Sequence, residues 1–132
     1  MSVRGVRGAT VAAADQPEAI ASATQELLLA ILQANPSLQP ADLASVLFTV
    51  TEDLNAAYPA EAARQLGWTQ VPLLCGREIP VPGSLLRCIR VLLHWNTGCL
   101  QAEVQHVYLR EAARLRPDWN GSQLPDHLGG VS

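Results

Sequence analysis

The chain has 132 residues, of which 48% are hydrophobic and 5% aromatic, so it is long enough for one domain with a mainly aliphatic core. Its net charge of −3 argues against a nucleic-acid partner, and no apolar run reaches the length of a membrane span. The N-terminus lacks the apolar stretch of a secretory signal, and the three cysteines form no CxxC pattern, which argues against a disulfide framework. Together these features predict a soluble cytoplasmic protein.

Apolar periodicity and turn residues divide the chain into short elements. Strands are predicted where apolar residues alternate or β-branched residues cluster, and helices where an apolar stripe lies between Pro, Gly or capping residues. In chain order the predicted elements are a strand over 2–11, a helix over 15–36, a helical turn at 40–43, a strand over 45–51, a helix over 58–67, a strand over 71–75, an irregular segment over 76–84, strands over 87–96 and 105–110, and a short helix or turn over 110–118.

Capping and helix-breaking residues set the predicted helix ends. Asp15 and Glu18 have the spacing of a capping box, and the Asn-Pro pair that ends in Pro36 stops the first helix. Pro59 and Gly67 mark the start and the end of the second helix.

Five strands and two main helices predict an α+β domain with a mixed five-stranded sheet packed with helices. The domain is expected over residues 1–118, and the Gly-rich polar segment 119–132 is expected to be a flexible tail. Two helices can cover one face of such a sheet but hardly two. A second subunit is therefore the simplest cover for the other face.

All nine cationic residues are arginine, and the absence of lysine excludes Schiff-base chemistry through a side-chain amine. Arg7 and Arg90 each lie inside a predicted strand, whereas Arg64 lies on the second helix and Arg116 just before the tail. For any single one of them a structural salt bridge is the simplest interpretation. Two strand-embedded arginines in a small domain instead predict a site for a ligand with more than one carboxylate.

Two further side chains could complete such a site. Tyr108 could add a hydroxyl donor, since it lies on the last predicted strand. Glu78 could accept a hydrogen bond from a ligand hydroxyl, or it could simply neutralise Arg90.

Other chemistries have weaker support. A nucleophilic Cys75 would need a base, and the sequence places neither His94 nor His106 beside it, so a buried thiol is the simpler interpretation. The cysteines and histidines have no recognised metal-ligand spacing, and the glycine pair in "RGVRG" is not a phosphate-binding loop.

Four segments carry a resemblance to a known family: "VRGVRGAT", "FTVTEDLNAAYPAEAARQLG", "VPLLCGREIPVPGSLLRCIRV" and "QHVYLREAARLRPD". In order and in register from Val3 to Asp118, they resemble the small trimeric α/β class of chorismate mutases, the AroH type. The resemblance implies a homotrimer whose sheets form a barrel-like core, with active sites at the subunit clefts. It also implies the rearrangement of chorismate to prephenate without a cofactor or a metal.

The resemblance further implies a role for each candidate residue. Arg90 would donate to the ether oxygen of chorismate, and Glu78 would accept from its ring hydroxyl, with Cys75 in contact with the same region. Arg7 would bind a substrate carboxylate, and Tyr108 would donate to the side-chain carboxylate. The residues expected from a neighbouring subunit are Tyr58, Arg64 and the Pro59-Ala60 turn, and Arg116 with the tail would close over the ligand.

Three functions therefore compete at this stage. The first is the mutase, and the second is a non-catalytic trimer that binds a small carboxylate, or a related trimer that hydrolyses imines or enamines. The third is an assembly protein whose arginines are all salt-bridged. The pairing of Glu78 with Arg90 favours the mutase, because a simple carboxylate binder needs no acceptor beside its cation.

Overall fold

One mixed sheet organises the chain. The computed structural model describes residues 1–115, and within them the sheet has five strands. These are β1 (Ser2–Val11), β2 (Leu43–Val50), β3 (Leu73–Arg77), β4 (Cys88–Thr97) and β5 (Val107–Tyr108). The α-helices of the same range are α1 (Pro17–Ala34) and α2 (Pro59–Gln65), and 3₁₀ turns lie at Pro40–Asp42, Gln101–Glu103 and Arg110–Arg114.

The strand order is β3-β2-β4-β1-β5. The central strand β4 runs antiparallel to both β1 and β2, whereas β3 is parallel to β2 and β5 is parallel to β1. A parallel neighbour needs a crossover, and α2 supplies the one between β2 and β3. The predicted α+β class with a mixed five-stranded sheet is confirmed.

The helices pack on one face of the sheet. Along β4, Val91, Leu93 and Trp95 are almost completely buried, and they join Leu27 and Ile31 of α1 in the main core cluster. Period-two alternation sends the intervening side chains to the opposite face.

That opposite face is only half-buried, and we call it the open face, defined by Arg7, Thr49, Arg90, Leu92 and His94. The strand register places these residues side by side, since Arg90 opposes Thr49 on β2 and Leu92 opposes Arg7 on β1. Within the described chain this face carries the strand-embedded arginines that the sequence singled out.

The predicted capping box at the start of α1 is wrong. The helix begins at Pro17, and its N-cap residue Gln16 makes no side-chain capping bond. Asp15 lies one residue too early to cap. Its Oδ1 instead accepts hydrogen bonds from the backbone N–H groups of Asn55 and Ala56, at 2.8 and 2.9 Å. Asp15 therefore supports the loop that leads into α2.

Two strand boundaries also differ from the prediction. β3 begins at Leu73 and continues through Gly76 to Arg77, because parallel pairing with Thr49 and Val50 of β2 supplies its ladder bonds. β5 contains two residues, fewer than the predicted six. Among the described residues, no helix is both long enough and apolar enough to cross a membrane.

Candidate active site

Arg90 occupies the middle of the open face. It lies on β4 between Ala9 of β1 and Thr49 of β2, and its side chain is 26% exposed. Its Nε atom is buried and has no hydrogen-bond partner among the described residues. An unpaired buried donor on a charged group is costly, so this atom is poised to bind an acceptor from outside the chain.

Glu78 forms an ion pair with this guanidinium but no hydrogen bond. The carboxylate Oε2 lies 3.6 Å from Arg90 Nε, well beyond the 2.7–2.9 Å of a charge-assisted hydrogen bond. The same Oε2 accepts a hydrogen bond from the Thr49 hydroxyl. The Glu78 backbone N–H donates to Val50 O at 2.9 Å, which continues the β3 ladder by one residue and fixes where the side chain starts.

Arg7 and Tyr108 lie on the same side of the sheet. Arg7 is half-buried on β1, and its backbone N–H donates to Nδ1 of His106 at 3.0 Å. Tyr108 of β5 is buried and opposes Ala9, the β1 residue that also opposes Arg90. The small Ala9 side chain thus separates the tyrosine from the guanidinium. We call Arg7, Glu78, Arg90 and Tyr108 the arginine half-site.

A second group of predicted residues lies elsewhere, and we call it the helix half-site: Tyr58, Arg64 and Cys75. Tyr58, which is 71% exposed, and Cys75 line a cavity of about 400 Å³. Cys75 packs against the main core cluster, because strand alternation points it to the helix side of the sheet. Arg64 forms a surface ion pair at 3.1 Å with Glu61 of its own helix.

Within one chain, the structure therefore divides the predicted site residues into two groups. Arg90 and Glu78 are on the open face, whereas Cys75 is directed away from them. Arg116 and the tail over 119–132 lie outside the described residues.

Cys88 is the buried thiol of the open face. Burial raises the pKa of Cys88, the adjacent Arg90 guanidinium lowers it by its charge and by a hydrogen bond, and the Glu78 and Asp53 carboxylates raise it. Because burial dominates, the thiol is protonated at neutral pH and is a poor nucleophile.

This shift predicts a pH-dependent stability. The raised pKa of Cys88 means that the folded state favours the neutral thiol over the thiolate. The neutral thiol therefore contributes to the free energy of unfolding in full below the ordinary thiol pKa. That contribution is lost as the pH rises through the raised pKa of the folded state. We expect the difference in unfolding free energy between the wild type and Cys88→Ala to shrink as the pH rises above the ordinary thiol pKa of about 8.5. Denaturant unfolding of both proteins at each pH measures it. A difference that grew with pH would contradict the raised pKa.

The nucleophilic and metal-binding alternatives are tested by the contacts of the histidines and cysteines within residues 1–115. His94 Nδ1 lies 2.8 Å from the hydroxyl of Ser45, and His106 accepts from the Arg7 backbone, so both imidazoles have contacts that do not involve Cys75. Among residues 1–115, no three His, Cys, Asp or Glu side chains converge on a point where they could hold a metal ion.

Thr49 is the functional candidate that the sequence did not reveal. It lies in an apolar strand run, and only the pairing register places it opposite Arg90, with its hydroxyl bonded to Glu78. The signal that could have indicated it is a hydroxyl residue in an apolar strand, where that strand pairs with the one that carries the arginine.

The fold and the site define an α+β protein that presents strand-borne arginines on one open sheet face. The family profile for chorismate mutase type I matches residues 3–119. The chain therefore belongs to the chorismate mutase type I family, and the resemblance seen in the sequence is confirmed.

Named relatives agree with this assignment. The chain is 61% identical over 121 residues to chorismate mutase AroH of Thermus thermophilus, a match that covers 92% of this chain and 99% of the relative. It is 42% identical over 119 residues to chorismate mutase AroH of Bacillus subtilis strain 168, covering 89% of this chain and 93% of the relative. Among solved structures, a chorismate mutase from Clostridium thermocellum superposes with a TM-score of 0.79 at 46% identity, over 82% of this chain and 96% of that chain.

Proposed function

We propose that this chain is a chorismate mutase, an isomerase of aromatic amino-acid biosynthesis that rearranges chorismate to prephenate. Its family membership and its relatives support the activity. The observation that supports the catalytic arrangement is the buried, unpartnered Nε of Arg90 beside the Glu78 acceptor. We infer that the enzyme works in the cytoplasm, with neither nucleic acid nor membrane as a partner.

The reaction explains why an arginine suits this position. In the Claisen rearrangement one carbon–oxygen bond breaks while one carbon–carbon bond forms in the same molecule, so no proton, electron or cofactor has to enter. Negative charge grows on the ether oxygen as its bond lengthens. A fixed guanidinium donor beside that oxygen stabilises the transition state more than the ground state, which raises kcat.

The other members of the arginine half-site would hold the substrate in its reactive shape. Arg7 would bind one carboxylate, and Tyr108 would donate to the side-chain carboxylate. Glu78 would accept from the ring hydroxyl. Fixing the flexible enolpyruvyl chain over the ring lowers the entropic part of the activation barrier, because the reacting carbons then start near each other.

We propose further that the enzyme is a homotrimer and that Tyr58 and Arg64 of the helix half-site act in a neighbouring subunit's cleft. Tyr58 is the N-cap of α2 and Arg64 lies on α2, which packs on the helix side of the sheet, whereas Arg90 lies on the open face, so a second copy is the simplest way to bring them together. The open sheet face also needs a cover, and at its edge Val3 and Leu74 are 54% and 67% exposed. A closing role for Arg116 and the tail stays a prediction.

A non-catalytic carboxylate binder is the second candidate. Glu78 disfavours it, because a carboxylate 3.6 Å from the binding cation repels an anionic ligand unless it also accepts a hydrogen bond from that ligand. The ring hydroxyl of chorismate provides such a bond.

Mixing the purified protein with chorismate tests the proposed activity. We expect chorismate's ultraviolet absorbance to fall without any added cofactor or metal, and prephenate to appear in equal amount. The same protein with Arg90→Ala is the matched control. Tight binding of chorismate with no prephenate formed would contradict the mutase and favour the carboxylate binder.

Replacing Cys75 with alanine is expected to lower kcat/KM only modestly, by less than about tenfold. The reaction needs no nucleophile, and within residues 1–115 the hydrogen bonds of His94 and His106 are made to groups other than this thiol. Steady-state kinetics of Cys75→Ala measures the change. Complete inactivation of a folded variant would point back to thiol chemistry.

A further inference from the structure

Thr49 lies next to two of the charged groups of the arginine half-site, Glu78 and Arg90. Its backbone opposes Arg90 on one side and Gly76 on the other. Its hydroxyl donates to Oε2 of Glu78, which is the same oxygen that lies 3.6 Å from Arg90 Nε. This carboxylate oxygen thus accepts a hydrogen bond from the neutral donor and forms only an ion pair with the charged one.

Electrostatics alone would not predict that Glu78 Oε2 bonds to Thr49 and lies 3.6 Å from Arg90 Nε. A guanidinium and a carboxylate carry opposite charges, so electrostatics favours their pairing over a bond from a neutral hydroxyl. Both side chains are only about a quarter exposed, which leaves the attraction weakly screened by solvent. The hydrogen bond that this oxygen does accept comes from the Thr49 hydroxyl, whose residue is held in place by pairing of β2 with β3 and β4.

This arrangement leaves one donor of Arg90 available for a ligand. Arg90 Nε is left buried and without a hydrogen-bond partner in the described chain. If Glu78 moved to occupy it, the ether oxygen of the substrate would compete with an internal carboxylate for that donor. The carboxylate would also leave the position from which it accepts the ring hydroxyl.

We propose that Thr49 is a positioning residue for the rearrangement: its hydroxyl anchors Glu78 and so keeps Arg90 Nε available to the substrate. The inference rests on the proposed mutase function and deepens it. Thr49 acts through Glu78 and Arg90 and does not itself touch the substrate.

The test removes the hydroxyl while keeping the volume. For Thr49→Val we expect kcat to fall about 10- to 100-fold, the range expected for losing a hydrogen bond to a charged group, with KM changed less than about threefold. Thr49→Ser keeps the donor and is expected to stay within about threefold of wild-type kcat. Thr49→Ala carries the same test if the valine variant does not fold.

A matched control lies on the same sheet. Thr10 of β1 is completely buried, and its hydroxyl has no partner within residues 1–115. Thr10→Val therefore deletes a strand hydroxyl of the same kind from the helix side of the sheet. We expect it to leave kcat unchanged.

A double-mutant cycle separates positioning from a general structural role. In a Glu78→Ala background the anchor has nothing to hold, so adding Thr49→Val should change kcat by less than about twofold. An equal loss in both backgrounds would overturn the inference, as would wild-type kcat in Thr49→Val or a serine variant as poor as the valine variant. Absence of mutase activity in the wild type would instead refute the proposed function itself.

Discussion

Replacing Arg90 with lysine is expected to lower kcat by about 10²- to 10³-fold, the cost of losing one preorganised donor to a developing oxyanion. Lysine keeps the positive charge but has no donor at the position of Nε, the atom that the structure leaves buried and unpartnered. Its ammonium sits at the end of a flexible stem and lacks the planar fork of arginine. KM is expected to change less than kcat, because the missing interaction strengthens in the transition state.

Steady-state kinetics with chorismate measures this loss, and Arg4→Lys is its control. Arg4 is also a strand-borne arginine, but it opposes Trp95 on the helix side of the sheet, and its Nε donates to the backbone oxygen of Cys99 at 2.9 Å. Its replacement should change kcat by less than about twofold. Near-normal turnover in Arg90→Lys would refute the proposed role of the guanidinium.

Two inactive variants are expected to restore each other when their subunits are mixed. Arg90→Ala damages the arginine half-site, and Arg64→Ala damages the helix half-site. In its own chain Arg64 has only an exposed ion pair with Glu61, which contributes little to stability, so its loss should not unfold the protein. A site built from the intact half of each chain is complete.

Unfolding the two variants together at equal concentration and refolding them should return about a quarter of wild-type activity, since random assembly gives each cleft that chance of two intact halves. Arg90→Ala mixed with Glu78→Ala is the matched control, because both changes fall in the same half-site and no cleft becomes complete. Equal recovery in the control, or none in the test mixture, would contradict a shared site.

The sequence predicted the sheet and the faces of its central strands well. Period-two alternation in β4 placed Arg90 on a different face from Val91 and Leu93, as observed, because a half-buried strand needs its apolar side chains on one side. Family resemblance then proposed roles for the site residues, and those roles stay predictions.

What the sequence could not predict depends on contacts between distant segments. Asp15 bonds the backbone at Asn55 and Ala56, forty residues away, although local spacing suggested a helix cap. The continuation of β3 to Arg77, and with it the placement of Glu78 next to Thr49, follows from parallel pairing with β2. Local propensity carries no information on such a register.

The most direct test of the account is the kcat of Arg90→citrulline, a neutral isostere that keeps the size and planar shape of the arginine side chain. Stabilisation of a growing negative charge requires the positive charge itself, so we predict a loss of kcat at least as large as that of Arg90→Lys, in a protein that still folds and assembles. A citrulline variant that turned over chorismate at nearly the wild-type rate would contradict electrostatic stabilisation by Arg90.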